Sequence, residues 1–210
     1  MLHRMWSNPE ILFRLTLGLV FGITTVIGLP RRLRADHRGG KVSARNDPRW
    51  FWTLMACAGP PTALACLGFV LHPPWVECAQ AELPIVLRWL GVPMGIAGLA
   101  LFEWMFRHLG VNVTSTSAPR RDAELITSGP YRWIRHPMYT AVLVLVVAAT
   151  LLSANVVVAV GGVGMFALLA ARSRIEEARL LEKFGEAYRQ YHYRTGRFLP
   201  RRVNPGRGPD

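Results

Sequence analysis

The chain has 210 residues, 51% of them hydrophobic, with a mean hydropathy of +0.22 and a formal net charge of +12. Apolar runs near the length of about 20 residues that a bilayer span needs recur along it, which excludes an ordinary soluble domain. The basic residues are placed in blocks, seven of the 25 Lys and Arg in 31–49, five in 107–135 and ten in 172–207, with none in 72–83; a nucleic-acid binder has no reason to alternate in this way, whereas membrane topology does.

The runs are 10–30, 50–71, 84–106, 138–152 and 156–171, the last two short. With basic connections alternating with non-basic ones, they predict an all-α, polytopic transmembrane bundle of about five spans, N-terminus outside and C-terminus cytoplasmic, in a bacterial inner (plasma) membrane. The first span is expected to start at Asn8-Pro9 and to end at Leu29-Pro30, anchored by Arg31, Arg32 and Arg34. It is followed by Pro-Arg-Arg rather than a small-residue cleavage site, so it reads as a retained span rather than a signal peptide. Residues 36–49 read as a polar loop. The second span opens on Trp50, Phe51 and Trp52, suited to the interface, and Gly59-Pro60-Pro61 should kink or break it midway, a break that would suit a pocket wall.

The third span runs from Pro84 to His108 and carries Gly91, Gly95 and Gly98 near one stripe, as close helix packing requires. Residues 109–136 form the longest loop. Met138 to Ala171 reads as a hairpin turning at Ser153-Ala154-Asn155, with Gly161, Gly162 and Gly164 again suited to close packing. From Arg172 the composition changes to a charged, amphipathic cytosolic helix that ends by Gly196 and Pro200, and 201–210 reads as a disordered tail. Cys57, Cys66 and Cys78 have neither zinc nor disulfide spacing and read as small buried apolar residues.

Two places carry chemistry. Gly129-Pro130-Tyr131-Arg132-Trp133-Ile134-Arg135-His136-Pro137-Met138-Tyr139 joins a turn signal to the start of a span, with Pro137 in the first helical turn. Unpaired N–H groups and the helix dipole there would attract a carboxylate or phosphate, and Arg135 and His136 add donors. For Arg132 and Trp133 an interfacial belt is the better explanation, whereas for Arg135 and His136 the two readings are balanced. The second place is the helix 174–193. Leu180, Leu181, Phe184, Ala187, Tyr188 and Tyr191 share one face at about 100° per residue; Glu177 falls in the middle of that face and Glu176 at its flank. A carboxylate so placed requires a partner, either an ion pair with Arg174 or Arg135 or a ligand. The helix could equally lie on the membrane surface. The sequence contains no GxGxxG after a strand, P-loop, HExxH or GxSxG, and its remaining histidines are scattered, so no metal is expected.

Taken together, Gly-Pro-Tyr-x-x-x-Arg-His-Pro-x-Tyr at 129–139, Glu176-Glu177, Phe184-Gly185-x-x-Tyr188-x-x-Tyr191 and Thr195-Gly196-Arg197-Phe198-x-Pro200 resemble the isoprenylcysteine carboxyl methyltransferase family. The related phospholipid methyltransferases share the Arg-His-Pro and Glu-Glu elements. His108-Leu109-Gly110 and Leu125-Ile126-Thr127 fit the pattern, whereas residues 1–80 show no comparable signature. The resemblance implies a membrane enzyme that uses S-adenosyl-L-methionine, bound on the cytosolic side by Tyr131, Arg135, His136, Tyr139, Glu176 and Glu177. It implies methyl transfer to the carboxylate of an isoprenylcysteine-like, amphipathic substrate, with Arg174 or Arg197 orienting that carboxylate. On this basis 1–107 holds the N-terminal spans and basic loop, and 108–200 the catalytic region. Membrane lipids and a lipid-like small molecule are the implied partners. Other readings are methyl transfer to a lipid amine or small thiol, an NADPH-dependent membrane reductase, and a non-catalytic membrane subunit.

Overall fold

The structure, a computed structural model, describes residues 9–39, 47–71, 78–110, 119 and 123–201. The expectations for the middle of the 36–49 loop, the middle of the longest loop and nearly all of the C-terminal tail fall outside these residues. The described elements are helices α1 (Pro9–Gly39), α2 (Arg49–Leu71) and α3 (Ile85–Leu109), a 3-10 turn (Gly129–Arg132), and helices α4 (Pro137–Ser153), α5 (Val156–Phe184) and α6 (Glu186–Arg194). No strand occurs among them, only isolated bridges between Gln80 and Asn155 and between Ile134 and Gly196.

Helices α1, α2, α3 and α5 are each long and apolar enough to cross a bilayer; α4, with 17 residues, is shorter. Contacts along the helices nevertheless show that all five traverse the bundle. Glu10 meets Arg88 at one end and Arg31 meets Glu103 at the other, so α1 and α3 run in the same direction. On α4, Leu152 packs at Gly91 and Leu145 at Gly98, which makes it antiparallel to α3. Helix α2 places Phe51 against Arg172 at the Arg-rich end and Thr62 against Gly161, antiparallel to α5. The turn at Ala154 and the segment before α3 meet at the opposite end, where Ala81 donates to the Ala154 carbonyl at 2.6 Å. The result is an integral membrane helix bundle, with Arg31, Arg107, Arg135, Arg172 and Arg197 gathered at one end.

Sequence chemistry accounts for the boundaries. Pro84 precedes α3, and Gly110 turns the chain at φ 54°. Asn155 caps α5 by accepting from the Val157 and Val158 amides at 2.9 and 3.2 Å. Pro137 occupies the first turn of α4, as expected. Gly91, Gly95 and Gly98 are buried, and a side chain at Gly91 or Gly98 would come within 2.8 Å of Leu152 or Leu145, respectively. The charges inside the apolar runs are paired: Glu10 with Arg88, and Glu103 with Arg31 and Arg107. Leu15, Leu19, Val26, Leu64, Ile96, Val160 and Val163 are exposed on the bundle surface, the pattern of a lipid-facing exterior.

Three expectations need correction. Helix α1 does not stop at Pro30 but continues through it to Gly39, carrying the arginine cluster on a helical extension. Helix α2 runs through Gly59-Pro60-Pro61 without a break, with the Thr62 hydroxyl bonded to the Ala58 carbonyl at 2.7 Å, so the interruption proposed as a pocket wall is absent. The charged segment is not a separate helix over 174–193: α5 carries it in one piece to Phe184, and Gly185 (φ 54°) turns the chain into α6. Burial therefore follows Glu177, Tyr188 and Tyr191, while Leu181 and Ala187 are exposed. Cys57 and Cys78 are also exposed, and only Cys66 is buried.

Candidate active site

The cluster begins with the Gly129-Pro130 turn. Gly129 has φ 60°, and a side chain there would run into the His108 ring; His108 Nδ1 in turn lies 3.0 Å from the Ser128 hydroxyl. The end of α3 is thereby pinned to the turn, which aims Tyr131 inward and delivers the chain to α4. Arg135 and His136 then pair through their backbone with the strap that follows α6, residues 195–201: Arg135 N donates to Gly196 O at 2.8 Å and His136 N to Arg197 O at 3.0 Å. Gly196 N returns a bond to Trp133 O at 3.0 Å. A side chain at Gly196 would overlap the Leu199 carbonyl, so the strap needs glycine here.

On this frame three side chains converge on Glu177, which α5 presents in a buried position. Its Oε1 accepts from Arg135 Nε at 2.9 Å, His136 Nε2 at 3.2 Å and Arg197 Nε at 3.2 Å; its Oε2 accepts from Arg197 Nη2 at 2.6 Å. Arg135 Nη1 also donates to the carbonyls of His192, at 2.9 Å, and Thr195. The paired reading of Glu177 is thus realised with Arg135, not Arg174. Beside it, Glu176 is about one third exposed (31%) and accepts from the Tyr139 hydroxyl at 2.9 Å. His136 stacks on Tyr139 with centroids 5.2 Å apart and an interplanar angle of 5°, and Phe198 closes over both rings at 5.9 and 6.5 Å. Thr140 holds that residue by donating to the Phe198 carbonyl at 2.7 Å.

Of the residues singled out in the sequence, Arg135, His136, Tyr139, Glu176, Glu177 and Arg197 come together. Tyr131 is buried next to them, and Tyr191 Oη donates to its carbonyl at 2.9 Å. Burial, with the charge of Glu176 adding to it, holds the Tyr131 phenol far above its usual range, so it stays a neutral phenol. Arg174 is exposed on α5 and does not join the cluster. Sequence reasoning missed Thr140, Phe198 as a cover and the buried pair Asp47–Arg172. A hydroxyl one residue after Tyr139 carries no motif signal, and Arg172 read as a topology marker.

The donor set suits a zwitterionic ligand. Glu176 has an accessible carboxylate, Arg197 is one third exposed (33%), and the buried Tyr188 hydroxyl has no partner among the described residues although the charges of Glu177, Arg135 and Glu176 all act on it. An orphaned buried hydroxyl costs roughly 1–3 kcal/mol, which a polar ligand atom would recover. Among the described residues no group of three His, Cys, Asp or Glu is arranged to hold a metal.

Fold and site together define a class: a helical membrane protein with a charged, largely buried side-chain cluster at one end of its bundle. Residues 86–187 match the phospholipid methyltransferase family, which covers α3, α4, α5 and the turn between Gly129 and Arg132. The resemblance drawn from the Arg-His-Pro and Glu-Glu elements is borne out over that stretch, and the class supported is a membrane methyltransferase. No curated protein matches the chain.

Proposed function

We propose that the protein transfers a methyl group from S-adenosyl-L-methionine to the carboxylate of an isoprenylcysteine-like, amphipathic substrate. The observation that carries the reading is the Glu176/Glu177 pair on α5 facing Arg135, His136 and Tyr139 at the mouth of α4, with Arg197 joining from the strap. Tyr131, Arg135, His136, Tyr139, Glu176 and Glu177 would form the donor pocket, and the phospholipid methyltransferase match supports the coarser class.

Within this reading the two acids divide the work. Both oxygens of Glu177 are occupied, so it organises Arg135, His136 and Arg197 and has little capacity left for a ligand. Glu176, more open, is suited to an ammonium or to sugar hydroxyls, and Arg197, with its exposed edge, to a carboxylate. When bound, the donor supplies an electrophilic methyl on a sulfonium. The chain contributes alignment and exclusion of water: Phe198 and Phe166, 5.5 Å apart, shield His136 and Tyr139. A carboxylate acceptor needs no general base, only a cation to orient it, and Arg197 is placed for that. Arg174, exposed and one turn from Glu177, is placed to draw an anionic substrate towards the site.

The distribution of Lys and Arg supports an orientation with the cluster on the cytoplasmic side of a bacterial inner membrane and the N-terminus outside. A second acceptor is favoured by the matched family's description, a lipid amine such as a phospholipid headgroup. The two readings separate by pH. An amine must shed a proton before it attacks, so its rate rises with pH, whereas the rate with a carboxylate acceptor stays flat above about pH 6. The experiment is methyl transfer from labelled donor, by purified protein, to prenylcysteine analogues, lipid amines and small thiols. Turnover of prenylcysteine with a flat profile supports the carboxylate reading. Turnover of lipid amine alone replaces it, and no transfer to any of them, with no binding of S-adenosylhomocysteine, removes the methyltransferase reading.

A further inference from the structure

A second buried ion pair lies one helical turn along α5 from Glu176, and one of its members comes from a part of the chain outside both the 86–187 match and the motifs. Asp47 and Arg172 are both buried, with Arg172 Nε 3.2 Å from Asp47 Oδ1. The Arg172 guanidinium lies over the buried Phe51 ring at 5.0 Å, and the Phe51 amide donates to the Pro48 carbonyl at 3.1 Å, which fixes the turn that carries Asp47 into α2. Arg172 is four residues before Glu176 on α5, so the two side chains share a face about 6 Å apart along the helix axis. Glu176 in turn accepts from the Tyr139 hydroxyl at 2.9 Å. The two layers therefore lie one helical turn apart on α5.

We propose that Asp47, acting through Arg172, is a positioning residue of the donor site: it sets the rotation of α5 that presents Glu176 to Tyr139. The N-terminal helices then do more than anchor the chain, because Asp47, at the entry to α2, completes the site from outside the matched region. The proposal rests on the methyl-donor reading above. Chemistry favours this role over a simple brace. A buried Asp–Arg pair contributes little net stability once desolvation is counted, yet this one stands one helical turn from a ligand-facing carboxylate.

The test measures the affinity for S-adenosylhomocysteine by calorimetry and the thermal stability of the ligand-free protein, for Asp47→Asn, Asp47→Glu and Arg172→Lys. Glu10→Gln, which breaks the ion pair with Arg88 at the far end of the bundle, is the control. Asp47→Asn and Arg172→Lys are expected to weaken binding about ten- to a hundredfold, the range a small misplacement of a binding group produces. They should raise KM for the methyl donor while leaving KM for the acceptor unchanged, and Asp47→Glu should restore most of the affinity. Glu10→Gln should lower stability with wild-type affinity. If Asp47→Asn fails to fold, Arg172→Lys, which keeps the charge, decides alone. Losses of stability like that of Glu10→Gln, with wild-type affinity throughout, would overturn the positioning role and leave the methyltransferase reading standing. Absence of binding by the wild-type protein would overturn both.

Discussion

At Glu177 the desolvation of one carboxylate is offset by four N–H groups from Arg135, His136 and Arg197. Removing one charge from such a set leaves the others buried and uncompensated, at about 3 kcal/mol. Glu177→Gln is therefore expected to destabilise the protein by that order, read as a lower midpoint in denaturant titration of the detergent-solubilised protein. Tyr139→Phe keeps the stack on His136 but removes the bond to Glu176; about 1 kcal/mol of stability should go with it, and on the functional reading the affinity for donor should fall further. His192 offers a pH test. Burial first, and the Arg135 charge next, hold its imidazole below the usual range. The unfolded chain thus takes up this proton more readily than the folded one. Stability is unaffected at high pH and declines as pH falls through the ordinary histidine range towards the folded value. With the side chain nearly half exposed (46%) the decline is small, and it is isolated by comparison with His192→Gln, whose melting temperature should drop less between pH 7.5 and 5.5.

At the scale of elements, the C-terminal strap shows how local chemistry closes the site. Gly196 lies where a Cβ would overlap the Leu199 carbonyl, a clash with rigid backbone. Gly196→Ala should therefore lift the strap from Arg135 and His136, cost about 1–3 kcal/mol and leave Arg197 detached from Glu177. Faster proteolysis after residue 194, with the bundle intact, would register it, and unchanged protease resistance would refute it. The strap also marks the limit of sequence reading. Helices α3, α4 and the turn at Ala154 were legible because Pro84, Pro137 and Asn155 act through nearest neighbours. Glu177 was legible because a charge on an apolar face demands a partner. Its choice of Arg135 and Arg197 over Arg174, and the pairing of Asp47 with Arg172, depend on how distant segments pack, which no local period encodes. Pro30, and the break considered at Pro60-Pro61, misled for the opposite reason. The local preference to break a helix is real, but in a bundle the cost of exposing backbone to lipid exceeds it.

For the whole molecule, the number of traverses decides whether the two ends of the chain share a side of the membrane, and the Lys and Arg blocks bear on which side holds the chemistry. At 17 residues α4 is about 25 Å long, short of the roughly 30 Å hydrocarbon core, yet its contacts carry the chain from the Arg-rich end to the Ala154 turn. Five traverses put the two termini on opposite sides, and four would put them on the same side. Cys78 is exposed at the end occupied by Gln80 and Asn155, Cys57 is exposed midway along α2 on the apolar surface, and Cys66 is buried. On the proposed orientation, a membrane-impermeant maleimide applied to intact spheroplasts should label Cys78 alone among the native cysteines. A cysteine placed at Glu186, exposed on α6 at the Arg-rich end, should react only after permeabilisation. Labelling of the Glu186→Cys position in intact spheroplasts would put Glu176 and Arg197 outside the cell, where a cytosolic methyl donor does not reach them, and the orientation and the proposed chemistry would fall together.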